Sequence, residues 1–402
     1  MFKESIPQKI ILSGLILYCL GVTISISCQI MGVILALSGW IIRMIITRRF
    51  EIIGTPLNIP ILLFIITLFL STIFSSYPIV ALDKTESMIR HLLLYYLVVC
   101  GIKDASTAKK IIMVLLVAVA IESGYIILQY LYNFKLFGIV VHNGVSKHLT
   151  ENRAIGGAVG IIFPIGFSLW VFSNSAYKKI ALGIINLLIL TVLLFTQTRG
   201  IWVGVILALI FIIIIGIRKK KKILLSLFAF VIVIPFIFPK EVTNQVLSIF
   251  SDKTLGGRIY LWRDSLQIVK DYPVFGTGPG TFIHIYYPEY FSKEAMENKD
   301  FGHLHCHNNF VNVAVEGGIL GLFAFIWLLI ASFCLGFKIL KRNLQDKDLF
   351  PLTIGLLAGL IVWLVHGMVD CTYLGSSAYL FWFTLGMIVR TGDIAVINWK
   401  FT

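Results

Sequence analysis

The chain is 402 residues long, with 58% of them hydrophobic, only 13% charged and a mean hydropathy of +0.91, where a soluble domain carries about 25% charge. These values exclude a water-soluble globule, and the apolar content excludes a disordered chain despite a formal charge of +14. The surplus of 34 Lys+Arg over 20 Asp+Glu lies in short breaks between apolar blocks, the placement of membrane-topology signals and not of a nucleic-acid-binding face.

The apolar blocks run to about twenty residues, enough to cross roughly 30 Å of hydrocarbon as a helix. They predict an all-α polytopic membrane protein of about twelve transmembrane helices, near 10–28, 30–47, 58–74, 90–102, 109–133, 153–173, 179–197, 200–217, 223–239, 312–337, 350–369 and 374–390. The first block lacks a small-residue cleavage site and reads as a retained span. An N-in, C-in topology puts Arg43/Arg48/Arg49, Lys103/Lys109/Lys110, Lys178/Lys179, the cluster 218–222, Lys338/Lys341/Arg342 and Arg390 on the cytoplasmic side. The inverted topology leaves the 218–222 cluster, which suits anionic headgroups, on the wrong face.

Outside the membrane this topology leaves segments 75–89, 133–152, a short turn at 197–200, and one large loop. The chain therefore divides into spans one to nine (1–239), the extracytoplasmic loop (240–311), and spans ten to twelve with a cytoplasmic C-terminus (312–402). A connection of this length folds and carries function. Within it Leu261, Trp262, Leu266, Ile268 and Val269 recur at helical spacing opposite Arg263, Asp264, Gln267 and Lys270, predicting an amphipathic helix along the membrane surface. Tyr286, Tyr287, Tyr290 and Phe291 suit the interface or stacking on sugar rings. The six cysteines show no metal-ligand spacing; Cys306 and Cys371 fall outside the spans, where they either pair or pack. Gly276-Thr277-Gly278-Pro279-Gly280 lacks the Lys and Ser/Thr of a phosphate loop and reads as a turn cluster.

Four signals carry chemistry. Arg199, in Thr196-Gln197-Thr198-Arg199-Gly200, sits between apolar runs, either snorkelling to headgroups or holding an anion such as a diphosphate by forked hydrogen bonds. Arg258, after Gly256-Gly257, and Arg263 open the amphipathic segment, where a cation opposes the helix dipole unless an anion lies between the two and the helix N-terminus. His303, His305 and His307 face one way if extended, an arrangement able to hold a metal with Glu316 or Asp370; the alternative is that one of them, His307, acts as a general base. Asp370, in His366-Gly367-Met368-Val369-Asp370, is an acid at a membrane boundary, with His307 or an Arg as its expected partner. Glu122 and Glu316 are further acids within spans. All four signals fall on one side of the membrane.

The Thr196–Gly200 element, Gly257-Arg258 with Trp262 and Asp271-Tyr272-Pro273-Val274-Phe275-Gly276, and His307-Asn308-Asn309-Phe310 with Glu316-Gly317-Gly318-Ile319-Leu320-Gly321 resemble the O-antigen ligase and polymerase family of bacterial cell envelopes. The resemblance implies a C-type glycosyltransferase fold and transfer of a glycan from undecaprenyl diphosphate on the periplasmic face of the inner membrane. The acceptor it implies is a lipid A-core sugar in a ligase, or the end of another O-antigen or exopolysaccharide chain in a polymerase. By motif, Arg199 and Arg258 fall on the donor diphosphate and His307 is the base; its position makes Asp370 the expected support of that base, and Arg263, His305 and Asn308 join the substrate-binding set. The surroundings of the family histidine, Cys306 with His303 and His305, leave open whether His305 or His307 is the base. No metal or other cofactor is expected, since paired arginines can stabilise a leaving diphosphate. A rival class, a lipid-linked oligosaccharide flippase or other transporter, more often places its charges at mid-membrane between repeats.

Overall fold

The computed structural model describes residues 6–50, 52–132, 153–196, 198–217, 253–297 and 304–392. Every regular element among them is helical: α1 (Ile6–Gly21), α2 (Ile26–Thr47), α3 (Asn58–Ile73), α4 (Pro78–Gly101), α5 (Ala105–Tyr132), α6 (Arg153–Phe172), α7 (Ala176–Phe195) and α8 (Arg199–Gly216), then α9 (Lys253–Asp271), α10 (Phe282–Ile285), α11 (Lys293–Glu297), α12 (Asn309–Arg342), α13 (Leu349–His366) and α14 (Gly375–Thr391). A π-helical turn, Tyr286–Tyr290, follows α10. Seven of these helices are long and apolar enough to cross a membrane, and α1 and α3 are shorter apolar helices. The expected span 223–239, the cluster 218–222 and His303 lie outside the described residues.

Small residues set the helix spacing, as expected where packing rather than hydrophobicity drives association. A side chain at Gly14 would strike the backbone of Ala36 across the α1–α2 hairpin, and one at Gly32 the backbone of Tyr18. Helix α13 is buried at every residue from Phe350 to Leu360, the mark of a central helix that is apolar all round. Gly355 and Gly359 bring it against the backbones of Ile165 and Ile161 in α6, and Gly204 brings α8 against Val362. This central helix ends at His366.

Two departures from the expected spans matter. Helix α4 begins at Pro78, in the first-turn position that proline favours, so the charged stretch Asp83 to Arg90 extends a helix instead of forming a loop. At its other end Arg43 and Arg390, each 7% exposed, are buried caps and not solvated topology charges. The Arg43 guanidinium donates to Cys100 O (2.9 Å) and Gln8 Oε1 (2.8 Å), Gln8 donates to Gly101 O (2.5 Å), and Arg390 donates to Val99 O. Cations at a helix C-terminus satisfy its free carbonyls and its dipole together.

The second departure is a break in α12 at Gly318, where φ is +64 and ψ −166. The carbonyls freed there are taken up by the segment after α9. Thr277 N donates to Val315 O (2.9 Å), Gly278 N to Glu316 O (3.0 Å), and Ile319 N to Pro273 O (2.8 Å). From α3, Ser71 Oγ adds a bond to Glu316 O (2.5 Å), while Ser75 Oγ holds Thr277 O (2.6 Å). The glycines of 276–280 are thus more than a turn cluster: Gly276, at φ +69, lies against the main chain of Glu316 and Gly318 with no room for a Cβ. Gly318→Ala is expected to cost about 1–3 kcal/mol through positive-φ strain, added to a clash with Val274 O. A drop in thermal unfolding temperature in detergent, absent in Gly317→Ala, where a Cβ meets open space, checks this.

Candidate active site

Helix α9 and the segment after it build a small second core. Leu261 and Ile268 are fully buried and Ser265 lies between them on the same face, meeting Phe282, Ile285, Tyr286, Cys306 and Val315. The aromatic run does not lie free for an interface or a sugar: Tyr286 stacks on Phe282 (4.9 Å between centroids) and edges against Tyr287 and Phe291, and Tyr290 donates to Asp271 Oδ2 (2.7 Å). Leu266, expected on the apolar face, is exposed, whereas Asp264, expected on the polar one, is buried and accepts from Ser292 N. The loop consumes its own apolar residues as a core. It also presents a fixed surface: Trp262 Nε1 donates to Cys306 O (2.9 Å), tying α9 to the histidine segment.

That segment ends in the N-cap of α12. Asn308 Oδ1 accepts from Phe310 N (2.9 Å) and Val311 N (3.2 Å), and its Nδ2 donates to Met368 O (3.0 Å), so capping occupies its side chain. Asn309 bridges to the turn after α13: its N–H donates to Gly367 O (2.7 Å), its Nδ2 to Thr372 Oγ1 (2.8 Å), and its Oδ1 accepts from Thr372 N (2.7 Å). His307 takes a left-handed conformation, φ +47, rare outside Gly, Asn, Asp and His.

Held this way, His307 Nδ1 lies 3.0 Å from Asp370 Oδ1, both side chains about one-seventh exposed at 14% and 15%. Cys371 N donates to the same oxygen (2.8 Å), and His366 Nε2 lies 3.4 Å from Oδ2. Burial pushes the Asp370 carboxyl up, but the bond from His307, the neighbouring His366 ring and the Cys371 amide prevail and hold it well below the usual carboxylate range. An ionised carboxylate only accepts, so it fixes the proton of His307 on Nδ1 and leaves a lone pair on Nε2. The His305 ring packs edge-on to His307 (4.4 Å), its Nδ1 accepting from His307 N (3.3 Å).

The arginines divide. Arg199 is the first residue of α8, whose Gly200 lies against Val369 and His366, beside the turn that carries Asp370. Arg258 sits one turn before Trp262 on α9. Since α9 starts at Lys253, Arg258 is past the first turn, so the expected anion at that helix N-terminus does not apply to it. Arg263 turns away, pairing with Glu294 (3.2 Å) and Asp264 (3.4 Å) over the Tyr260 ring. Ligand atoms of His305, His307 and Asp370 lie within 4.8 Å of one another and form the cluster able to hold a cation. Cys306 and Cys371 are free thiols, so the pairing option falls.

The order of these parts along the chain, an arginine opening α8, an arginine on α9 and a histidine capping into a glycine-broken helix, is what the motifs led us to expect. Residues 184–326 match the O-antigen ligase family. The resemblance read from the motifs holds over this stretch, which contains Arg199, Arg258, His307 and Glu316 and stops short of Asp370. The chain is 28% identical over 193 residues to the exopolysaccharide production protein ExoQ of Rhizobium meliloti (strain 1021), covering 45% of this chain and 42% of that protein. It is 24% identical over 219 residues to an uncharacterized protein of Haemophilus influenzae, covering 54% and 47%. It thus spans less than half the length of the curated relatives it matches. With its apolar helices, the O-antigen ligase-like chain is a membrane protein.

Reading the sequence missed His366 as the second flank of Asp370; its spacing of four from Asp370 at a helix end was the available signal. Because the Asp370 carboxyl is depressed, the folded state binds fewer protons than the unfolded one around pH 4. Its contribution is present above the ordinary value of 3.8 and lost as pH falls through the lower folded one. Asp370→Asn is therefore expected to lower stability by about 1–2 kcal/mol near neutrality, with the gap to wild type closing below pH 3.8. Thermal unfolding in detergent from pH 7 down to 3 checks both.

Proposed function

We propose that this protein is a membrane glycosyltransferase of about twelve spans, N-in and C-in, with its site on the periplasmic face of a bacterial inner membrane. It transfers an undecaprenyl-diphosphate-linked O-antigen glycan to a sugar hydroxyl of lipid A-core. The domain division at 239/240 and 311/312 belongs to this reading. The observation that carries it is the His307–Asp370 pair, 3.0 Å apart, with Gly200, next to Arg199, against His366 and Val369 and Trp262, one turn from Arg258, bonded to the Cys306 carbonyl.

In the reaction, the acceptor hydroxyl gives its proton to His307 Nε2 while its oxygen attacks the anomeric carbon of the donor. The bond from that carbon to the diphosphate oxygen breaks, and the electron pair leaves with undecaprenyl diphosphate. Asp370 stabilises the imidazolium that forms. Arg199 and Arg258 receive the growing charge, which is worth most in a site shielded from water; the dipole of α8 adds to Arg199. No metal takes part. A second reading, chain polymerisation, draws on the likeness to ExoQ, whose name assigns it to exopolysaccharide production.

A chromosomal deletion with lipopolysaccharide resolved on a gel tests the reading: we expect intact core without any O-chain. A core carrying a single repeat favours the polymerase instead, and an unchanged pattern overturns both. In a purified transfer assay, Arg199→Ala and Arg258→Ala are each expected to lose roughly 100-fold or more. Lys replacements should rescue poorly, because an ammonium lacks the fork. His307→Ala should be inactive and His305→Ala active, and exhaustive chelation should leave the rate unchanged. An active His307→Ala, or loss on chelation restored by one divalent ion, overturns the assignment.

A further inference from the structure

Glu316 is 5% exposed, lies in the break of α12, and has no part in the transfer as written. Its Oε2 accepts from the Tyr373 hydroxyl (2.9 Å). That hydroxyl in turn accepts from Asn312 Nδ2, and Asn312 Oδ1 accepts from Cys306 N (2.9 Å). We propose that Glu316 is a positioning residue for the His307–Asp370 pair, acting through Tyr373 and Asn312; this rests on His307 being the base.

Donor polarity couples these groups. A phenol has one proton and an amide has a donor end and an acceptor end. Because the Glu316 carboxylate takes the Tyr373 proton, the Tyr373 oxygen must accept, the Asn312 amide must aim its nitrogen at it, and its oxygen is left for the Cys306 amide. Remove the acceptor at 316 and the phenol proton is free to turn toward Asn312, which reverses the amide and sets an NH2 against the Cys306 N–H. A buried amide proton facing another donor is costly.

The chain of bonds ends where the geometry is tightest. Cys306 precedes His307, whose φ of +47 depends on the peptides around it. The Cys306 carbonyl is held by Trp262 (2.9 Å) and its N–H by Asn312 (2.9 Å), so both its main-chain groups are clamped. At the other end Tyr373 stands three residues after Asp370. One carboxyl therefore bears on both members of the pair, and on α12 through Glu316 O, held by Gly278 N and Ser71 Oγ.

The test compares Glu316→Gln, Glu316→Ala, Tyr373→Phe and the Glu316→Ala/Tyr373→Phe double variant with His307→Ala in the full-length protein, at matched folded amounts. Groups that orient a ligating or reacting side chain are worth about 10–100-fold. We expect Tyr373→Phe and Glu316→Ala each to lose kcat by about that factor with donor KM within about twofold. The double variant should be no worse than either single one, since both cut the same chain. Glu316→Gln, whose amide oxygen still accepts from Tyr373, should stay within about threefold of wild type. Tyr373→Phe changes little volume, so it reports even where Glu316→Ala folds poorly. Wild-type kcat in Tyr373→Phe with His307→Ala inactive overturns the positioning role, as do losses that multiply in the double variant or an inactive Glu316→Gln. An active His307→Ala overturns the base assignment instead.

Discussion

Interrupting α12 at Gly318 frees main-chain groups at a buried point of the helix, where an unpaired group is costly, and other parts of the chain supply their partners. Val315 O, Glu316 O and Ile319 N are matched by Thr277, Gly278 and Pro273. This requires the segment after α9 to press backbone to backbone against α12, which only glycine at 276 and 318 permits. From that seam the rest is placed in order: α9 over its own aromatic core, Trp262 on the Cys306 carbonyl, the asparagine cap of α12, and His307 facing Asp370.

A carboxylate between two imidazoles is the electrostatic counterpart of this seam. Asp370 takes His307 and Cys371 N on one oxygen and lies near His366 on the other. Since His366 ends a helix that is buried at every residue from Phe350 to Leu360, the anion that sets the His307 tautomer is anchored to the core and not to a surface loop. Arg199 opens α8 and Arg258 lies on α9, so the arginines and the His307–Asp370 pair are carried by different elements.

The helices were largely legible because twenty-residue apolar blocks between basic breaks have one physical reading, and α2, α3, α6, α7, α8 and α14 fall within a few residues of the expected spans. Helix α4 was read too short, since charges near its start look like a loop when a neighbour's packing is unknown. The amphipathic α9 was legible, but not its partner: Leu266 and Asp264 exchanged faces because the aromatic run supplies a core that hydropathy alone assigns to lipid. At the site, residue types and the His307–Asp370 partnership were legible from motif and boundary position. Arg263 was grouped with Arg258 because five residues on a helix look close in sequence, while the structure pairs Arg263 with Glu294 from α11. The Asn312–Tyr373–Glu316 chain was not legible, as hydrogen-bond direction across sixty residues leaves no trace in spacing.

The indole of Trp262 has a mechanical consequence. Arg258 lies one helical turn from it, about 6 Å along the axis, and His307 lies one peptide beyond the carbonyl it grips. With the Ser265 hydroxyl 3.4 Å from the Cys306 sulfur and Cys306 packed in the same core as Leu261 and Ile268, the indole bond couples α9 to the residue before His307, so a tilt of α9 about its own core reaches His307 directly. Helix α9 and the main chain at His307 therefore move together.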